Sequence, residues 1–82
     1  MTPDRNALFT EISKLVAEHA LESEASYGDD TRIDALGIDS IDLMEIIFRL
    51  EEAHCVVISP LGLKGRETLG AVVDYAHETL SA

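Results

Sequence analysis

GIDSIDLMEIIFRLEE, residues 37–52, opens on a turn glycine and holds a serine between two aspartates. It then sets seven apolar side chains in the ten positions from Ile41 to Leu50. At about 100° per residue these side chains divide into two faces. With Ile41 at zero, Leu43, Ile46, Ile47 and Leu50 gather around about 190°, an ordinary core stripe. Ile41, Met44 and Phe48 fall on the opposite side, at about 0°, 300° and 340°, bordered by Glu45, Glu51 and Glu52 at about 40°, 280° and 20°. The spacing predicts a helix from Asp39 or Ser40 to near His54, with a second apolar stripe that cannot face the same core. An apolar strip rimmed by carboxylates suits a docking surface, and methionine suits one that adapts to several partners.

The head of this helix is specified locally. Asp39 is a good N-cap, its carboxylate accepting from free first-turn amides, and Asp42 can reach back as a short capping box. Both acids suit the positive end of the helix dipole. Ser40 is then the first helical residue, with an outward hydroxyl that owes nothing to capping.

Working outward, Thr2-Pro3-Asp4 reads as a helix start, a hydroxyl cap with proline at the first helical position. Leu8, Ile12, Leu15, Val16 and His19 follow at helical steps, so a first helix is predicted over about Pro3 to Leu21. Residues 22–38 are polar and turn-rich, a long connection whose second half Ile33, Leu36 and Ile38 should pin to the core. Ser59-Pro60 starts a short helical turn. Gly62 and Gly65 weaken it by about 1 kcal/mol each relative to alanine, so mobility is expected there. A last helix follows Thr68, with Leu69, Val72, Val73, Ala76 and Leu80 on one stripe. No strand is expected. The fold class is all-α, a small bundle of three main helices plus one short helix and a long first loop.

Eighty-two residues allow a single domain, 1–82, with a thin core and little room for an enclosed active site. Binding or carrying is therefore favoured over catalysis. Lys plus Arg number 6 against 16 Asp plus Glu, a net charge of −10. Such acidity argues against nucleic acid and anionic membranes and favours partners with basic patches. No apolar run reaches the roughly 20 residues of a membrane span, and no signal peptide is evident, so a cytoplasmic location is expected. Single Cys55 excludes an internal disulfide and is expected to be a small buried apolar residue. His19, His54 and His77 lack zinc-site spacing, the acids of residues 28–42 do not fit a calcium loop, and no metal site is expected. Ser40 has no base near it in sequence, so no catalytic residue is assigned.

LGIDSID, residues 36–42, resembles the phosphopantetheine attachment motif of acyl carrier proteins of the free-standing type. EIIFRLEE resembles the family's recognition helix, VVDYA matches a late segment, and the element order agrees across almost the whole chain. The resemblance implies a carrier, not an enzyme. Ser40 would bear covalent 4′-phosphopantetheine, whose thiol holds acyl groups as thioesters for fatty-acid, polyketide or related lipid biosynthesis. The implied partners are a holo-carrier synthase (phosphopantetheinyl transferase), a ketosynthase, an acyltransferase and other acyl-processing enzymes with basic patches, met by a monomeric carrier. Asp39, Asp42, Glu45, Glu51 and Glu52 would supply the charges of the docking face, and Ile41, Met44 and Phe48 its apolar contacts. Arg32, Arg49, His54 and the glycine-rich LGLKGR depart from the family's usual pattern and fit a specialised pathway. The alternatives are an unmodified acidic adaptor docking through the same helix, or an aminoacyl or peptidyl carrier.

Overall fold

Asp4 opens the first helix. Its backbone is extended and its carboxylate accepts the Ala7 N–H at 2.7 Å. In the computed structural model, which describes residues 3–20 and 26–81, α1 therefore spans Arg5–Ala17. The helix begins two residues later than Thr2-Pro3 suggested, because aspartate outranks threonine as a cap and takes the position. Thr2 and Leu21, the expected cap and the expected last residue, lie outside the described residues.

The second helix, α2, spans Ser40–His54, as its two-faced pattern predicted. Asp39 and Asp42 form the reciprocal capping box: the Asp39 carboxylate accepts the Asp42 N–H at 2.8 Å, and the Asp42 carboxylate accepts the Asp39 N–H at 3.4 Å. At the far end Cys55 sits in the left-handed region, φ +54°, and its N–H donates to the Glu51 carbonyl. The expectation that Cys55 is buried is overturned, for the side chain is exposed. A left-handed residue just past a helix turns the chain sharply away from the helix axis. Here the turn leaves the thiol in solvent, and Ile58, 2% exposed, enters the core instead.

The third helix, α3, spans Leu69–Ser81. Among the described residues, two short 3₁₀ turns stand between the helices, Asp34–Leu36 and Pro60–Leu63. The second was expected, and Ser59 caps it by accepting the Leu61 N–H at 3.3 Å. The first was not. It ends at Gly37, φ +78°, whose left-handed backbone reverses the chain so that Leu36 and Ile38 both turn inward.

The core joins all three helices and the long loop. Leu8, Ile12 and Val16 of α1 meet Ile46, Ile47 and Leu50 of α2 and Leu69, Val72, Val73 and Ala76 of α3, with Ile33, Leu36 and Ile38 packed in from the loop. The loop is also tied by its backbone. Ile33 N–H donates to the Glu67 carbonyl at 2.9 Å, Leu69 N–H to Thr31 at 2.8 Å and Gly70 N–H to Asp29 at 3.0 Å. The only pairing of β type among the described residues is the isolated antiparallel bridge of Arg32 with Thr68.

The Pro60–Leu63 turn, expected to be mobile, is braced against α3. A Cβ on Gly62 would stand 2.1 Å from Tyr75 Cζ, so the glycine is there to let the ring approach. Tyr75 Oη donates to the Ser59 carbonyl at 2.6 Å, and the Arg66 guanidinium lies 5.1 Å from the ring centre. Arg66 Nε and Nη1 donate to the carbonyls of Gly62 and Ala71, each at 3.0 Å.

Candidate functional site

Because the capping box is closed by Asp39 and Asp42, the hydroxyl of Ser40 is left over. Its side chain is exposed and has no hydrogen-bond partner among the described residues. Gly37 and the buried Ile38 hold the chain just before it, so the serine stands at the fixed head of a long, core-anchored helix.

The second face of α2 is open. Ile41, Met44 and Phe48 are 75%, 58% and 57% exposed, large values for apolar side chains beside a core whose members are near zero. No described part of the long loop covers them. Asp39, Glu45 and Glu52 are exposed around them. The other two acids of this face have structural work as well. Glu51 is half-buried, and its Oε2 accepts the Ile58 N–H at 2.8 Å, which stitches the end of the turn after α2 back to the helix. Asp42 serves the cap and lies 3.5 Å from His19 Nδ1, while His19 Nε2 is 3.9 Å from Glu45. At the other end of α2, His54 Nε2 meets Glu11 of α1 at 2.9 Å, and Arg49 lies 3.7 Å from Glu18.

Two grooves flank Ser40. One, of about 300 Å³, has Ile33, Ile38 and Leu43 as apolar floor and Arg32, Asp34, Asp39 and Glu67 at its rim. Arg32 is exposed there rather than packed. Its Nε and Nη2 donate to both oxygens of Asp34, each at 3.0 Å, and its Nη1 lies 3.3 Å from Glu67. These hydrogen bonds hold the Asp34 carboxyl below the usual carboxylate range and raise the guanidinium above its own. The other groove, of about 330 Å³, is lined by Leu43, Met44, Pro60, Leu61 and Leu63, with Lys64 as its single charged residue. A smaller hollow of about 170 Å³ between Met44, Phe48, Ile58 and Leu63 lies beyond it and shares Met44, Pro60 and Leu63.

The arrangement cannot readily make a nucleophile. No described side chain is hydrogen-bonded to the Ser40 hydroxyl to act as its base, and no cluster of three or more metal-binding side chains exists among the described residues. What it offers is an unencumbered primary hydroxyl at the junction of two grooves. That fits a covalently attached, flexible prosthetic group: the oxygen is free to be esterified, and the groove toward Pro60, Leu61 and Leu63 offers an apolar lining beside it. The sequence located Ser40 and the exposed stripe. It also took residues 60–66 as the wall of a site for an acyl chain, but did not single out Lys64 there, nor Arg32, whose place at the groove depends on its pairing with Asp34 and Glu67. Nor did it show the Glu51 bond to Ile58, which depends on the reversal at Cys55. No helix is long and apolar enough to cross a membrane among the described residues.

Comparison with known proteins agrees with the geometry. The sequence profile described as "Phosphopantetheine attachment site" matches residues 10–76. An acyl carrier protein of Clostridium perfringens (strain SM101 / Type A) is 33% identical over 72 residues, covering 87% of this chain and 95% of the relative. An acyl carrier protein of Thermotoga maritima is 26% identical over 77 residues, covering 93% of this chain and 95% of the relative. Matched by that profile over most of its length, and by such relatives almost end to end, the chain belongs to the phosphopantetheine-binding acyl carrier protein family.

Proposed function

We propose that residues 1–82 act as one free-standing carrier domain whose Ser40 takes 4′-phosphopantetheine from coenzyme A, and that helix α2 is the face read by the enzymes that load and unload it. The protein is a carrier and not an enzyme. The prosthetic group supplies a terminal thiol, which holds an acyl chain as a thioester. The chain's own residues do the rest. Asp39 and Asp42 keep the backbone of the first turn rigid while leaving the serine oxygen free. Ile41, Met44 and Phe48 offer apolar contact, and Asp39, Glu45 and Glu52 draw in a basic partner surface. Asp42 and Glu51 add charge to the same rim from their structural positions. A phosphopantetheinyl transferase, a ketosynthase and an acyltransferase fit that surface in turn, in a cytoplasmic lipid pathway of specialised type, with the carrier acting as a monomer.

The observation that carries this reading is the exposed Ser40 hydroxyl, released from capping at the first position of α2. Incubation with coenzyme A, Mg²⁺ and a phosphopantetheinyl transferase should add the mass of one arm to the intact protein and none to Ser40→Ala. Wild-type protein that stays unmodified under conditions that load other carriers would favour an unmodified adaptor instead.

A further inference from the structure

We propose that Lys64 is an arm-positioning residue: its ammonium pairs with the phosphodiester on Ser40 and turns the prosthetic arm into the apolar groove walled by Pro60, Leu61 and Leu63. The proposal rests on the attachment of phosphopantetheine at Ser40. Nothing in LGIDSID or in the docking face requires it.

The charge inventory of the chain carries the inference. All four arginines have a carboxylate within reach: Arg5 holds Asp29 and Asp74, Arg32 holds Asp34 and Glu67, Arg49 faces Glu18 and Arg66 faces Glu78. In a chain with 16 acids and 6 basic side chains, such pairing is the expected fate of a cation. Lys64 escapes it. Although exposed, it has no acid within ion-pair distance among the described residues, and it lines the same groove as Ser40.

A phosphodiester on Ser40 brings a negative charge onto a serine already flanked by Asp39 and Asp42, and like charges oppose it. Only two cations border the grooves that meet at Ser40, Arg32 in one and Lys64 in the other. Arg32 is already held by both oxygens of Asp34 and by Glu67, so drawing it toward the phosphate breaks existing pairs. Three donors on a flexible four-carbon stem let Lys64 follow a phosphate without breaking anything. The phosphorus is bonded directly to the serine oxygen, so a cation that lines the same groove as Ser40 is placed to meet the phosphate rather than the distal thioester. The two grooves also differ in what they offer the rest of the arm. The Arg32 side has a rim of acids, and the Lys64 side is continuous with the hollow at Phe48 and Ile58.

The test compares amide ¹H–¹⁵N spectra of the unmodified and arm-bearing protein, after intact mass has shown one arm in place. Absence of the added mass would sink the attachment itself and is read before anything else. With the arm present, shift changes beyond Ser40 and its neighbours should concentrate at Leu61, Leu63 and Lys64 rather than at Arg32, Ile33 and Glu67. Lys64→Gln should shrink those changes about twofold or more, as loss of a solvent-screened pair does. Lys64→Arg should restore them, and Arg32→Gln should leave them in place. Raising ionic strength from about 0.05 M to about 0.5 M should mimic Lys64→Gln in the wild type and add little in the variant. Changes confined to residues 38–44, changes centred on Arg32 and Glu67, or full-sized changes in Lys64→Gln would each overturn the proposal.

Discussion

Replacing Gly62 with alanine tests whether the Pro60–Leu63 turn is loose or braced. The new Cβ would lie 2.1 Å from Cζ, 2.2 Å from Cε1 and 2.3 Å from Oη of Tyr75. Carbon atoms pack at about 3.5–4.0 Å, so the ring has to move by more than an ångström. It is not free to swing away. Its hydroxyl is bonded to the Ser59 carbonyl, and its face carries Arg66, itself fastened to Gly62 and Ala71. Displacement loses one hydrogen bond, about 1 kcal/mol, and a cation–π contact of about 0.5–1 kcal/mol. Against this, alanine restricts the unfolded chain and returns about 0.4–1 kcal/mol. The net destabilisation is about 1 kcal/mol, rising toward about 3 kcal/mol if the ring stays and the backbone yields instead. In urea, a chain this small unfolds with a slope near 1 kcal/mol per molar, so the midpoint should fall by about 1 M or more. The melting temperature should fall by about 4–8 °C per kcal/mol. In a Tyr75→Leu background the clash disappears, and Gly62→Ala should be neutral or stabilising, giving a coupling of about 1 kcal/mol or more across the cycle. A single Gly62→Ala variant that is more stable than wild type would refute the bracing, for the glycine would then be merely flexible.

Phe48→Ala should change stability by less than about 1 kcal/mol, because more than half of the side chain is already in water, yet it should weaken binding to a cognate enzyme measured by titration calorimetry. Cys55→Gly should stabilise by about 0.5–1 kcal/mol in thermal melts, since only glycine occupies the left-handed position at φ +54° without side-chain strain. Arg32 lowers the Asp34 carboxyl through direct hydrogen bonds, so their contribution is present above the unfolded carboxyl value and lost as pH falls through the folded one. Arg32→Gln should therefore move the Asp34 titration, followed by carboxyl ¹³C NMR, upward toward the ordinary aspartate range, and remove that part of the acid-side loss of stability.

What could be read from the chain was what is local. The Asp39–Asp42 box, the start and end of α2 and the separation of Ile46 and Leu50 from Met44 and Phe48 all follow from three- and four-residue spacings. Ile33, Leu36 and Ile38 were legible as loop anchors because isolated apolar residues in a polar run have few other uses. The misses share a different cause. Cys55 was assigned by residue type, whereas its exposure comes from a backbone reversal that composition does not announce. Gly62 looked like a helix weakener because its reason, the Tyr75 ring, lies thirteen residues away on another helix (75 − 62). Asp4 took the cap from Thr2 because two good caps stood close together and spacing alone could not rank them. The bridge of Arg32 to Thr68 joins the loop to the segment before α3, so no window around residue 32 contains its cause, whereas the Asp34–Leu36 turn is closed by local bonds and Gly37 and was simply missed.

The backbone bonds that join Asp29, Thr31 and Ile33 to Gly70, Leu69 and Glu67 have a consequence for engineering. Between those two strips runs an uninterrupted excursion, residues 34–66, that contains Ser40, the outward apolar stripe and Lys64, while Arg32 stands in the seam itself. Its two ends are held together at hydrogen-bond distance by main-chain atoms, whose positions do not depend on which side chains occupy the interior of the segment. The excursion is thus a cassette with matched sockets. Transplanting it whole between carriers moves Ser40, α2 and the exposed stripe in one piece, with α1, α3 and the seam native to the host, provided Ile46, Ile47 and Leu50 still fit the host's core. The splice has to preserve glycine at position 70, because a Cβ there would sit 2.8 Å from Asp29 and pry the seam apart.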